Sequence, residues 1–421
     1  MDMTQQPKGN FPNRGDEYWK FTNPASFLKT LQSLSEEHPQ RTNVSAPLRN
    51  RAKSLQPISM PGISREISLE NLFPEYIHHA VTLSGLKLKL PDSISELDSC
   101  FQIEPLSELR EGGSKWFNSL SGELERSLQK PITRPFARYC IENAQCGYGL
   151  RVKQKCLEPM IIDYFGSNQS QSESLIYNAI KVDPHAELTL IEIGNTGNSS
   201  HHVTEIEVAE HGKLNHFRIL AGHHQTSCLT HQYTRLAEDS SYLSFTFSGN
   251  NGIARNEYII ELGGDNGNAH ISGIVAGYDQ MHHDDTVFVN HRGLNCKSRQ
   301  VFKKVLKDKA VGVFQGKILV DPGAQKTDGY QKSQALLLSE QSQFLVKPEL
   351  EIYADDVSCS HGSTCGSIDK EALFYLCSRG IPKRQAIGLL AEGFLAEVFD
   401  EFDNNYVAGV MRELLSKSLI V

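Results

Sequence analysis

Val182-Asp183-Pro184-His185-Ala186-Glu187-Leu188 reads as the end of one β-type run, a polar turn and the start of another. The pattern returns as Val208-Ala209-Glu210-His211-Gly212-Lys213-Leu214 and as Leu236-Ala237-Glu238-Asp239-Ser240-Ser241-Tyr242-Leu243. It returns again as Leu262-Gly263-Gly264-Asp265-Asn266-Gly267-Asn268-Ala269-His270. The closing positions Leu188, Leu214, Leu243 and His270 stand 26, 29 and 27 residues apart. The strand that follows one such turn, Tyr242-Leu243-Ser244-Phe245-Thr246-Phe247, alternates. A repeat of this size made only of strands and turns points to a β-helix, whose coils must stack to bury their inward faces. A β-sandwich also shows turn signals at short intervals, so periodicity alone leaves that fold open.

Working outward, this β-rich character covers residues 136–366. Residues 1–135 form an N-terminal mixed and helical region. Its first 60 residues are broken by Pro7, Pro12, Pro24, Pro39, Pro47 and Pro57, with a short helix expected over Ser26–Leu34. Leu86–Leu90 alternates like a strand, Phe117–Leu128 reads as a helix, and Pro131 and Pro135 mark the boundary. Residues 367–421 turn helical. Asp369 can cap a helix reaching Arg379, Gly380 stops it, and Pro382 opens the next. That second helix carries an apolar stripe of Ile387, Leu390, Phe394, Val398 and Phe402. The stripe suits either docking on this chain's own core or a partner's surface.

Composition narrows the function. The 421 residues hold 42 Lys and Arg against 50 Asp and Glu, a net charge of −8. That balance argues against broad nucleic-acid binding and against a basic membrane-surface patch. Mean hydropathy is −0.37, and no run approaches the ~18 apolar residues of a membrane span. The first 30 residues lack the apolar core of a signal peptide. Nine scattered cysteines fit reduced thiols. The expectation is a cytoplasmic protein without membrane or nucleic-acid contact.

Catalytic signatures are scarce. Gly312-Val313-Phe314-Gln315-Gly316-Lys317-Ile318 is too short for a phosphate loop and lacks the hydroxyl after its lysine, so no ATP site is expected. Four His-His pairs occur, at His78-His79, His201-His202, His223-His224 and His282-His283. Neighbours on a strand face opposite sides, so one pair does not readily chelate one ion. His282-His283-Asp284-Asp285 is expected to be a solvated turn. The densest signal is Cys359-Ser360-His361, in which Cys359 and His361 would share one strand face and offer a thiolate and an imidazole to a soft or borderline metal. Two donors leave a coordination sphere incomplete. The direction of Cys365 is open, because Gly362 and Gly366 flank it.

The run Lys347-Pro348-Glu349-Leu350-Glu351-Ile352-Tyr353-Ala354-Asp355-Asp356-Val357, then Cys359-Ser360-His361-Gly362, closely resembles a signature of the SufB/SufD family of the SUF iron–sulfur cluster assembly machinery. Ala372–Leu376, Ser378–Ile381, Asn295-Cys296-Lys297-Ser298-Arg299-Gln300, Lys326–Gly329 and Glu17-Tyr18-Trp19-Lys20-Phe21-Thr22 extend the resemblance along nearly the whole chain. Tyr330–Leu336 holds no cysteine where the SufB branch carries one, which places the resemblance in the SufD branch. Cys365 stands where the family more often has an apolar residue, and the start of the chain is short for the family.

The resemblance implies a right-handed parallel β-helix flanked by helical regions. It also implies a non-enzymatic scaffold that pairs with a SufB-like paralogue through the β-helix and binds a SufC-like ATPase through the C-terminal helices. A nascent iron–sulfur cluster would form transiently between the paralogues, with His361 and Cys359 as this chain's ligands and a reduced flavin as one proposed participant. Ile387, Leu390, Phe394 and Val398 would then face the ATPase. An isolated chain could self-pair through exposed strand edges. Two rivals stand beside this reading: a β-helix enzyme acting on polysaccharide, which is usually exported, and a free-standing iron-binding homodimer.

Overall fold

The computed structural model describes residues 11–28, 81–84, 87–89, 99–128, 132–165, 174–195, 199–221, 227–249, 252–402 and 405–418. His78-His79, His223-His224 and most of the Ser26–Leu34 stretch lie outside the described residues.

From Tyr148 to Gly366 the chain winds as a parallel β-helix. Successive strands alternate between a sheet of ten strands and a sheet of nine. Each coil therefore gives one strand to each sheet, and the inner faces enclose a lumen. The sandwich alternative is excluded, because neighbours within each sheet along this stretch are parallel and in register.

The turns explain the repeat. His185, His211, Asp239, Asn266, Asn295 and Lys326 all adopt left-handed backbone (φ 53–59° in the last five, 60° in the first). Asn and Asp tolerate this region best, and a polar turn supplies them. Their N–H groups continue the sheet ladders: His185 N donates to Glu210 O at 3.0 Å, His211 N to Glu238 O at 3.0 Å, and Asn266 N to Leu294 O at 2.8 Å.

One detail of the repeat differs from its reading in sequence. Leu188 and Leu214 are register partners, but Leu214 then pairs with Tyr242 and Tyr242 with Ala269. Leu243 and His270 stand one position on, facing outward. A one-residue offset reverses the side on which a side chain lies.

The two ends of the β-helix differ. At the N-terminal end the parallel stack stops at reversed strands: Phe101–Pro105 runs antiparallel to Tyr148–Val152, and Lys87–Lys89 antiparallel to Val81–Ser84. Leu83, Phe101 and Ile103 close the main apolar core there. At the other end no such strand follows among the described residues. Gln343–Ile352 and Ser358–Gly366 are the last strands of the two sheets, each paired on one side only.

Outer faces are covered by flanking elements. Trp19 packs on Phe136 (ring centroids 5.4 Å) and over the Arg255 guanidinium (4.3 Å), which clamps the N-terminal segment across the nine-stranded sheet. Tyr18 reaches the last strand, where its hydroxyl donates to Glu349 at 3.1 Å. On the ten-stranded sheet, Leu395, Val398, Phe399 and Phe402 dock against Phe217, Phe245 and Ile274.

The C-terminal stripe is therefore corrected at its last two positions, Val398 and Phe402, which are buried in the chain's own core. The helix ends at Ala396 and a 3-10 turn, Glu397–Glu401, follows. That change of winding turns Val398 fully into the chain's own core, so Val398 has no surface left for a partner. Ile387, Leu390 and Phe394 remain half-buried.

Candidate functional site

The open end carries the Cys-x-His pair. Ser358–Gly366 forms one continuous strand, in register with Asp328–Leu337. Only Cys359 in it is half-buried, and the rest is exposed. The strand holds no charge and is built from small residues, apart from His361. An exposed, uncharged strand with an unpaired edge is ready to pair with another chain.

Alternation settles the faces. Cys359 lies over Gly329 and packs with Ile318 and Ala354, so it points into the lumen. A Cβ at Gly329 would stand 3.2 Å from Cys359 Sγ, so glycine makes room for the thiol. His361 follows two residues on, on the same face and roughly 6.6 Å along the strand. Cys365 shares that face too, since neither glycine breaks the strand. It lies about 13 Å from His361 along the strand, too far to join the same ion with ligand bonds of ~2 Å.

Burial pushes the Cys359 thiol up from its ordinary value. The Gly329 backbone works against this, and the Asp328 charge adds to it. The thiol is thus protonated near neutral pH, and metal binding there must release a proton. Among the described residues no group of three or more His, Cys, Asp and Glu side chains is arranged to hold a metal ion. Cys359 and His361 amount to two donors.

The His282-Asp285 run is a correction. It begins the strand His282–His291 and is mostly buried rather than a solvated turn. Its side chains divide between faces. Outward, Thr22 Oγ1 lies 2.9 Å from His282 Nε2, and Asp284 accepts from Thr22 and Arg255. Inward, Lys304 Nζ donates to Asp285 at 2.6 Å and meets His283 Nδ1 at 3.0 Å. Although burial would raise the Asp285 carboxyl, Lys304 and His283 hold it well below the usual range. The ionisable groups bond to one another or to Thr22, so the cluster is a structural ion network.

A second exposed feature is helical. Asp369 caps Lys370–Ser378, accepting from Glu371 N at 2.8 Å and Ala372 N at 3.2 Å. Gly380, at φ 87°, turns the chain into Lys383–Ala396. The first helix buries none of its residues, and it leaves Phe374 75% and Tyr375 56% exposed; Leu389 on the second is 44% exposed. The stripe reading missed these rings, although Phe374 and Tyr375 lie within the stretch that carries the family resemblance.

The family described as "SUF system FeS cluster assembly, SufBD core domain" matches residues 165–394, more than half of the chain. The chain belongs to the SufBD family. It is 33% identical over 236 residues to "Iron-sulfur cluster assembly protein SufD" of Escherichia coli (strain K12), covering 55% of each chain. It is 34% identical over 167 residues to the SufD protein of Bacillus subtilis (strain 168), covering 40% of this chain and 38% of that one. It is 25% identical over 377 residues to "Protein ABCI7, chloroplastic" of Arabidopsis thaliana, covering 85% and 77%. The matched stretch thus spans about half the length of the E. coli relative and less of the B. subtilis one. The SufBD match contains Cys359, His361 and the exposed rings, whereas the clamp at Glu17–Trp19 lies outside it. No helix among the described residues is long and apolar enough to cross a membrane.

Proposed function

We propose that this chain is a non-catalytic, SufD-type scaffold of the cytoplasm that presents Cys359 and His361 to a nascent iron–sulfur cluster. The cluster is cargo, built between this chain and a second one. The observation that carries the reading is the open end: an unpaired, exposed and uncharged strand that bears a thiol and an imidazole on one face. A SufB-like paralogue would add its strands there and complete the ligand set, since two donors cannot hold a cluster alone. A SufC-like ATPase would supply ATP turnover. Its docking surface is the C-terminal hairpin, through Phe374, Tyr375 and Leu389 with the half-buried Ile387, Leu390 and Phe394. Thiolate and imidazole suit iron and its sulfides, and the nine free cysteines suit a reducing compartment.

The test is co-expression of the tagged chain with the SufB-like and SufC-like proteins of its host, then size exclusion with mass determination. One complex holding all three is expected. His361→Ala should leave that complex assembled and lower the cluster yield. A chain that elutes without the others, or an unchanged yield from His361→Ala, would overturn the assignment.

A further inference from the structure

Behind His361 the lumen holds two buried glutamines. His361, Gln331, Gln300 and Ile271 are successive register partners on the inward column of the ten-stranded sheet. Gln300 is 0% and Gln331 1% exposed. In neither amide does the oxygen or the nitrogen have a hydrogen-bond partner among the described residues. The surroundings offer little relief. Phe302 and Phe314 stand 5.2 Å apart in the lumen, and Ile271 forms an apolar floor. Gln331 Oε1 lies against Gly316, where a Cβ would meet it at 2.9 Å. Unmet buried amides are costly, and apolar side chains of the same shape would avoid that cost.

We propose that Gln331, backed by Gln300, is a positioning residue for His361. The inference rests on His361 being a ligand, as argued above. In-register neighbours on one face lie about 4.8 Å apart, within reach of a glutamine side chain. In the structure the amide atoms of both glutamines are unpaired among the described residues; when His361 takes a metal, Gln331 turns from Gly316 so that its Oε1 accepts the Nδ1–H of His361 and its Nε2 donates to Gln300 Oε1. This fixes the imidazole tautomer and leaves the Nε2 lone pair for the metal. Metal-binding histidines are commonly held this way through their second nitrogen.

The test uses the full chain and Co2+ as the probe, followed by its thiolate-to-cobalt absorption. The tautomer of His361 is read by 15N NMR and assigned by difference from His361→Ala. Gln331→Met keeps the length but removes the acceptor, and Gln331→Glu keeps an acceptor. Gln331→Met is expected to weaken Co2+ binding about 10-fold or more, to abolish the Nδ1–H preference, and to unfold no earlier than the parent. Gln331→Glu should restore both binding and tautomer. Unchanged binding and tautomer in Gln331→Met, with binding lost in His361→Ala, would overturn the positioning role alone. Unchanged binding in both variants would overturn the ligand reading and this role with it. Earlier unfolding of Gln331→Met with an unchanged tautomer would mark Gln331 as structural and also overturn the proposal.

Discussion

Asp163 sits in the strand Met160–Phe165 at 1% exposure, and its Oδ2 has no hydrogen-bond partner among the described residues. Burial alone pushes its carboxyl up from 3.8 to about 7. The folded chain therefore keeps a proton that the unfolded chain releases near pH 4. Stability is full below that pH and falls as pH rises towards 7. Asp163→Asn should remove this slope and stabilise the protein at pH 8 by roughly 1–4 kcal/mol, with little effect at pH 4. Urea midpoints at the two pH values check it, and equal gains at both would contradict it. Trp19 is the other decisive single residue. It is buried among Phe27, Phe136 and the Arg255 guanidinium. Trp19→Ala should cost about 3–5 kcal/mol in urea unfolding. A loss under 1 kcal/mol would mean that the clamp adds little to the fold. The same scale shows what a sequence hides. His282, His283, Asp284 and Asp285 are each polar, so they read as a solvated turn. What lets them form a buried strand is Thr22, Arg255 and Lys304, which lie far away in the chain. No local pattern announces those partners.

At the scale of elements, the C-terminal hairpin was legible at its joints. Asp369 and Gly380 act as the cap and the stop that their positions suggest, because capping depends on a few adjacent residues. The stripe beyond was legible only in part. Apolar spacing continues past Ala396, yet the winding tightens there and carries Val398 into the core. Lys303 reinforces that docking, pairing with Glu397 and lying 4.4 Å over the Phe394 ring. The two ends of the hairpin should then respond differently to charge. Phe374→Asp should weaken ATPase binding at least tenfold, on the order of 1.4 kcal/mol, while the thermal unfolding midpoint stays put. Val398→Asp should lower that midpoint, because it buries an unpaired carboxylate. Titration calorimetry and a thermal scan on both variants test this. Full affinity in a folded Phe374→Asp variant would remove the hairpin as the docking surface. The terminal strand was legible for another reason. Alternation has a period of two whatever the tertiary context, so Cys359 and His361 could be placed on one face. Which face it was, and that Cys365 joins it, depended on the register with Gly329 and Ala335. The amide column of Gln300 and Gln331 was hidden for the same reason: their separation in sequence becomes adjacency only once the coil length is known.

For the whole molecule, the turns made the β-helix readable. Left-handed residues recur where the chain must reverse direction, and they recur because each coil is built on the last. The ends were not readable, since a reversed strand and a parallel one look alike in sequence. Yet the ends govern assembly. A stack of parallel coils has no inherent length, because every coil offers the next a full row of donors and acceptors. Here the reversed strands at one end break the parallel repeat, so a coil added there meets antiparallel edges. Two chains joined at their open ends would use up both rows at once, and growth past that pair would have to start from the reversed strands. Light scattering on the isolated chain should therefore show a mass that rises with concentration to twice the monomer and then stays level. Continued growth past that value would mean that the reversed strands fail as a stop. The reversed pairs Val81–Ser84 with Lys87–Lys89 and Phe101–Pro105 with Tyr148–Val152 thus set where the parallel repeat begins.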